Sequence, residues 1–542
     1  MKSVKRSLSI LLALTICLTT FAPSAFADTQ RTFKVVAVGD STSNGCGLDD
    51  YGVHRNRTYV TTPEDTDPNY DLRNLGFLDD YSSYAYPVRL ANYIGSKHPE
   101  YDVSFTNLAI SGIRSVEIHA LLDSSYKGDS YTQPYMNNTI AGLERVYDVA
   151  DMSKFFIKQV KGADLITFDG VMNCFTIYFF ERVKASVQGN DSAYAADTMA
   201  ALMSSVSPAI KAIISPMEAT VKTALSSLFS GSIPTDLMDT VLYCYTLCLV
   251  SFSETIQCIR KLNPKAQLIV GGTFNPFYGQ VITWNGIEVD LGGLMGMVMN
   301  SVNTYITALD PNHNNYSFIQ TSDHVETSRE VLASYDDISD LPVVLRNHLI
   351  DDLFDPGHVI SQWLIDDALE KAAQDASITG QYDLEDYRTL YAQDIADIFD
   401  RVAGGTEIDP VEQMLYDSFY HYLSYYLAGA KNTKLDLEGL LAATEAEFGY
   451  GELFELRNIP IDELTKAQKT GISFFVTMGV LKTACAHPSE NGCTAKYKAA
   501  VKAYQAAKPA CVSSAATVQN LVNNGVSVCK TSAKSILKLL KK

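Results

Sequence analysis

Short apolar, β-branched runs recur along the first 320 residues, and helical patterns separate them. Thr32–Val38, Val103–Asn107, Asp164–Phe168, Gln267–Gly272 and Tyr316–Gln320 each have the length and residue types of a buried strand. Between them, Tyr86–Ser96 and Ser253–Leu262 carry helical spacing, the second closed by Asn263-Pro264, and Ser361–Ala373 follows the last strand. Strands alternating with helices predict an α/β domain, a parallel sheet covered on both faces. In such a sheet ligands bind outside the carboxyl ends of the strands. The first strand runs directly into Gly39-Asp40-Ser41.

Three stretches depart from this alternation. Leu48–Ser83 is polar and rich in Asp, Tyr and Asn, and reads as a long loop. Ser192–Ser230 has a helical pattern interrupted by Pro208 and Pro216. Its apolar positions suit either a flap over a lipid-binding cleft or a helical decoration packed on the core. Beyond about Gly380 strand signals stop. Leu384–Val402, Val411–Ala428, Leu435–Phe448, Val501–Ala507 and Ala516–Leu540 read as helices. The expected organisation is a leader over 1–27, an α/β domain over 28–380 with insertions near 48–83 and 186–235, and a helical region over 381–542. No internal repeat is visible.

The leader has the signature of export. Lys2, Lys5 and Arg6 precede a short apolar run, Leu8–Leu18, and Ala25-Phe26-Ala27 is a small-residue cleavage site. Its removal takes the net charge from -19 to -22, by loss of those three cations. Such an acidic chain is not expected to bind nucleic acid, whose phosphates require a basic surface. The apolar segment Val241–Phe252 is too short for a membrane span. Cleavage removes Cys17 and leaves nine cysteines, an odd count for an exported chain. Cys485, Cys493, Cys511 and Cys529 cluster at the C-terminal end, where two disulfides would staple a small helical module. With no C-x-x-C pair, metal binding there is the weaker reading.

Gly39-Asp40-Ser41 has a chemical logic. A serine on a tight strand-to-helix turn stands exposed at the sheet edge, where a base can reach it. Its own N–H can serve an oxyanion hole. The run Val36-Ala37-Val38-Gly39-Asp40-Ser41-Thr42-Ser43-Asn44-Gly45 resembles the first block of the SGNH (GDSL-type) hydrolase superfamily. Further blocks follow in order. Ser83–Ala91 is similar to the segment opening the next helix, and Asn107-Leu108-Ala109-Ile110-Ser111-Gly112 to the second block. Ala163–Phe168 with Asn173 is similar to the third. Gly272–Tyr278 resembles a post-strand segment of bacterial members, and Asp355-Pro356-Gly357-His358 the fifth block. The match runs from about Phe33 to Ala373.

The resemblance implies a three-layer, flavodoxin-like parallel sheet and a secreted esterase or lipase without metal or organic cofactor. Ser41 would be the nucleophile, His358 the general base and Asp355 its orienting acid. The N–H groups of Ser41 and Gly112 and the Asn173 amide would form the oxyanion hole. The third block departs from the family's G-x-N-D, reading Val171-Met172-Asn173-Cys174, with Gly170 one residue off. Asp310-Pro311-Asn312-His313 repeats the D-x-x-H spacing but precedes the last strand. His54, His313, His324 and His421 read as polar surface residues.

The expected partner is an ester, a lipid or an acylated carbohydrate whose sugar rings the chain's 31 tyrosines could stack on. The Lys-rich end Lys534–Lys542 suits either peripheral contact with a membrane or cell envelope or a solvated helix end. The alternative of a different class is a cell-surface binding protein that keeps the scaffold without turnover. Oligomeric state is open.

Overall fold

The computed structural model describes residues 31–46, 48, 81–136, 149–187, 191–206, scattered positions from 208 to 223, 235–284, 287–310, 314–319, 324–354, 384–431, 434–436 and 487–506. The leader, most of the loop after Leu48, and the expected helices Ser361–Ala373 and Ala516–Leu540 lie outside these residues.

The chain builds a mixed α/β fold around five strands: β1 (Arg31–Val38), β2 (Tyr101–Asn107), β3 (Leu165–Phe168), β4 (Gln267–Gly271) and, after an antiparallel hairpin β5 (Val281–Trp284) and β6 (Ile287–Asp290), β7 (Ser317–Ile319). The central sheet has the order β2-β1-β3-β4-β7 and every pairing in it is parallel. This is the flavodoxin-like order of a doubly wound sheet, with its switch point beside β1. The expected strands are all present, within two residues at each end.

Alternation along the strands sorts the core into two layers. Val36, Val38, Ile166, Phe168, Leu268 and Val270 face one way, into a large apolar core. That face is covered by α3 (Ser115–Leu122), α4 (Val149–Gly162), α5 (Met172–Val187), α6 (Thr235–Leu262) and α7 (Leu291–Leu309). Phe33, Val35, Leu165, Ile269 and Ile319 face the other way. There they meet α2 (Tyr86–Lys97), the second helix after the four-residue α1 (Ser41–Asn44), and a helix from the far end of the chain, α11 (Glu490–Ala506). The helix expected at Val501–Ala507 is the end of α11.

The helix expected over Ser253–Leu262 is the last part of α6, which spans 28 residues. Its first half escapes the helical pattern because Leu242–Val250 is buried nearly all round, leaving no polar face to mark the period. The stretch Met238–Leu262 is long and apolar enough to cross a membrane, but 89% of its most apolar window is buried within the protein, as in a core helix. Asn263 closes it by donating its N–H to Ile259 O at 2.8 Å, and its side-chain amide ties it to the end of α4 through the Val160 and Ala163 carbonyls at 2.8 and 2.9 Å.

The tail departs from the all-helical expectation. After α8 (Val343–Phe354), helices α9 (Leu384–Ala403) and α10 (Pro410–Lys431) form with small shifts, and with Leu349 and Ile350 of α8 they make a separate apolar cluster. Lys434–Asp436, where a helix was expected to begin at Leu435, is instead strand β8, paired parallel to β5. A free β5 edge offers backbone hydrogen bonds that outweigh the local helical pattern. Cys493, expected in a disulfide, carries a free thiol buried at 1% exposure. Cys485, Cys511 and Cys529 lie outside the described residues.

Candidate active site

β1 ends at Val38, and Gly39 turns the chain into α1, whose first residue is Ser41. Gly39 is required by close approach: a Cβ there would stand 2.3 Å from Ser43 Oγ. Asp40 is the N-cap and accepts the Thr42 N–H at 2.9 Å, fixing the short helix that presents a half-buried Ser41.

The loop after β2 lies against this turn. Ile110 N–H donates to Gly39 O at 2.9 Å, and Asn44 Nδ2 to Ser111 Oγ at 3.2 Å. Gly112 follows with φ +78, a left-handed conformation that a side chain would strain. Tyr135 OH holds the loop by donating to Ser111 O at 3.0 Å. Asn173, in the first turn of α5, donates to Ile113 O at 3.1 Å and to Asp40 Oδ2 at 3.4 Å. Ser41, Gly112 and Asn173 thus come from the ends of three adjacent strands to one place. The 3.4 Å contact is the weaker of the two.

Beneath the turn sits a buried polar cluster that sequence reasoning missed. Asp169, the residue after β3, accepts Ser43 Oγ at 2.9 Å and Tyr86 OH at 2.6 Å. Its other oxygen is 3.7 Å from Lys496 Nζ. Lys496 comes from α11, is 1% exposed, and lies over the rings of Tyr86 and Phe274 at 5.2 and 5.8 Å. Burial, then repulsion from Asp169, push the Asp40 carboxyl up to about 6, against the Thr42 hydrogen bond and the Lys496 charge. An unfolded Asp titrates near 3.9, so between these values the folded state binds more protons. Stability contributed by Asp40 is therefore present at acid pH and lost as pH rises from about 4 to about 6, by about 3 kcal/mol. Urea unfolding at pH 4.5 and 7 should show this, and Asp40→Asn, which can still cap α1, should remove that part of the slope.

Arg114, two residues past Gly112, is fully buried. It pairs with Asp129 at 2.8 Å and with Glu117, beneath the rings of Tyr131 and Tyr178 at 4.8 and 5.1 Å. Two carboxylates and two aromatic faces fix the segment that carries Gly112.

Asp355 and His358 lie outside the described residues; α8 ends just before them. Asp310, of the second D-x-x-H pair, accepts the backbone N–H groups of Asn314, Asn315 and Tyr316, which makes it a turn residue leading into β7. His313, His54 and the His421 side chain lie outside the described set. His324 bonds Glu330 at 2.7 Å on the surface.

Another histidine, passed over in the sequence, stands in a telling position. His487-Pro488 immediately precedes α11. That helix runs alongside α2: Thr494 meets Arg89 near the start of α2, and Gln505 meets Tyr93 further along. Lys496 reaches Asp169 and Phe274, both just past strand ends. The start of α11 is therefore at the carboxyl edge of the sheet, the edge that carries Ser41. His487 O accepts Ser328 N–H at 2.8 Å, Ser489 N–H donates to Glu326 O at 2.9 Å, and Pro488 bridges Thr327. These contacts clamp a half-buried His487 to the loop following β7. A His-Pro pair leading into a helix was the available signal.

No protein-family model and no curated protein matches the chain. Among solved structures it is similar to a lipase from a goat rumen metagenome, at 14% identity and a TM-score of 0.25, covering 53% of this chain and 80% of that one. It is also similar to an extracellular lipase from Streptomyces rimosus, at 15% identity and a TM-score of 0.24, covering 53% and 81%.

Proposed function

We propose that the protein is an exported serine hydrolase of the SGNH type that cleaves carboxylic esters through an acyl-enzyme. The observation that carries this reading is the convergence of Ser41, the Gly112 backbone and the Asn173 amide at the carboxyl edge of a parallel sheet. Ser41 Oγ attacks the ester carbonyl while a histidine takes its proton. The oxyanion is met by the Ser41 and Gly112 N–H groups and by Asn173, each donor contributing about 3 kcal/mol in the transition state. The histidine returns the proton to the departing alcohol, and water then releases the acid by the same route.

For the base, the sequence pattern favours His358 with Asp355. His487 is supported by its place: α11 lies beside α2 on the sheet, and its lead-in pairs with the loop after β7. We take His487 as the base. The substrate is a lipid or an acylated carbohydrate.

A fluorophosphonate probe tests the nucleophile. Folded wild-type protein should be labelled covalently, and Ser41→Ala should not. Absence of labelling in the folded wild type, with detergent present, would instead favour a scaffold that binds without turnover.

A further inference from the structure

A second cluster of side chains lies at the end of α3 remote from its start beside the Gly112 loop. His119 is in the last turn of α3 and Asp123 is its C-cap, a spacing of four that sets both on one face. Glu254 and Cys258 have the same spacing on α6, which packs against α3. The donor atoms of His119, Asp123 and Cys258 all lie within 4.8 Å of one another. Glu254 Oε2 is 4.0 Å from His119 Nδ1, too far for a hydrogen bond.

We propose that His119, Asp123 and Cys258, with Glu254 completing the set, bind one divalent cation of the zinc class that clips α3 to α6. The donors are one imidazole, one thiol and two carboxylates. That mixture suits zinc, whereas magnesium and calcium take oxygen alone. A tetrahedral zinc holds its donors about 3.5 Å apart, given bonds of about 2.0–2.3 Å. A contraction of about 1 Å, within reach of small side-chain rotations, brings the cluster to that geometry.

Two observations point to a ligand rather than to ordinary packing. His119 Nδ1 is buried and makes no hydrogen bond, a state that is unfavourable for a ring nitrogen unless something coordinates it. The Tyr126 ring stacks on the imidazole at 3.8 Å and holds its orientation. Electrostatics are compatible. Burial drives His119 down to about 4, so it is already neutral, as a ligand must be. Burial alone lifts the Glu254 carboxyl to about 7, and it lifts the Cys258 thiol to about 11, so a cation would relieve both on deprotonation. Lys261 is the nearby opposing charge; it is exposed and able to turn into solvent. The carbonyl end of α3 also favours a cation.

Protein freed of metal by a chelator should bind about one equivalent of zinc in a calorimetric titration and gain several degrees in Tm. Cobalt(II) in its place should give a thiolate-to-metal charge-transfer band in the near ultraviolet. His119→Ala should lose zinc binding. Cys258→Ser, a conservative change, should lose the band while keeping the circular dichroism of the metal-free wild type. Failure of the folded wild type to bind zinc would overturn the proposal. So would a charge-transfer band that survives in Cys258→Ser. Neither Ser41 nor its partners is touched, so probe labelling of Ser41 reports separately on the hydrolase reading.

Discussion

Replacing His487 by alanine is expected to lower kcat for a short-chain nitrophenyl ester by at least about 10³-fold, the scale seen when a serine hydrolase loses its base. His358→Ala is expected to keep most of its activity. Among the histidines whose side chains are described, His98 follows the C-terminal end of α2, at the opposite edge of the sheet from Ser41. His119 lies in the last turn of α3, and His324 is tied to Glu330 on the surface. His487 is carried to the carboxyl edge by α11 and clamped beside the loop after β7. Three residues before it stands Ala484, so the D-x-x-H spacing is absent here. Steady-state kinetics on both variants, with circular dichroism to confirm folding, decides the matter. Loss of activity in His358→Ala with retention in His487→Ala would return the role to the Asp355–His358 pair.

Lys496→Met is expected to destabilise the protein by about 3–5 kcal/mol and to abolish ester hydrolysis with it. The substitution leaves the Asp169 carboxylate buried, holding its hydrogen bonds from Ser43 and Tyr86 but without its counter-charge. It also leaves Asp40 facing Asp169 without the cation that eases their repulsion. Because Ser43 lies in α1 two residues after Ser41, strain at Asp169 passes directly into the helix that carries Ser41. Asp169→Asn in the same chain should recover much of the loss, since an amide in that position is neutral and can still accept from Ser43 or Tyr86. Urea unfolding of the single and double variants measures both effects. An unchanged midpoint in Lys496→Met would show that the pair contributes nothing.

The central sheet was legible because its strands are local signals. Val35–Val38, Leu165–Phe168 and Leu268–Val270 are buried on both faces and read as continuous apolar runs. The places of Ser41, Gly112 and Asn173 just beyond strand ends were legible because each lies within five residues of its strand. The β5–β6 hairpin was overlooked although Asn285-Gly286 is a hairpin signal between two short β-branched segments. Asp169 and Lys496 were not legible at all. Their partnership joins residues far apart in the chain, and nothing local marks a lysine on a polar helix as buried. His487 drew no attention for the same reason: its place depends on where α11 packs, which its own residues do not state.

The packing of α11 has a consequence for how the chain reaches its native state. One face of the central sheet is finished by a helix whose contacts with α2 span separations of 405 and 412 residues. Until residue 506 is available, Val35, Leu165 and Ile269 lack part of their cover, and Asp169 lacks its cation. Contacts of such long range form late and slowly, because the intervening chain must be closed into a loop first. An incomplete chain exposes apolar sheet and an unneutralised carboxylate together, a combination that invites aggregation. Completion of this face of the sheet thus waits on residues made more than 400 positions after the helix they pack against.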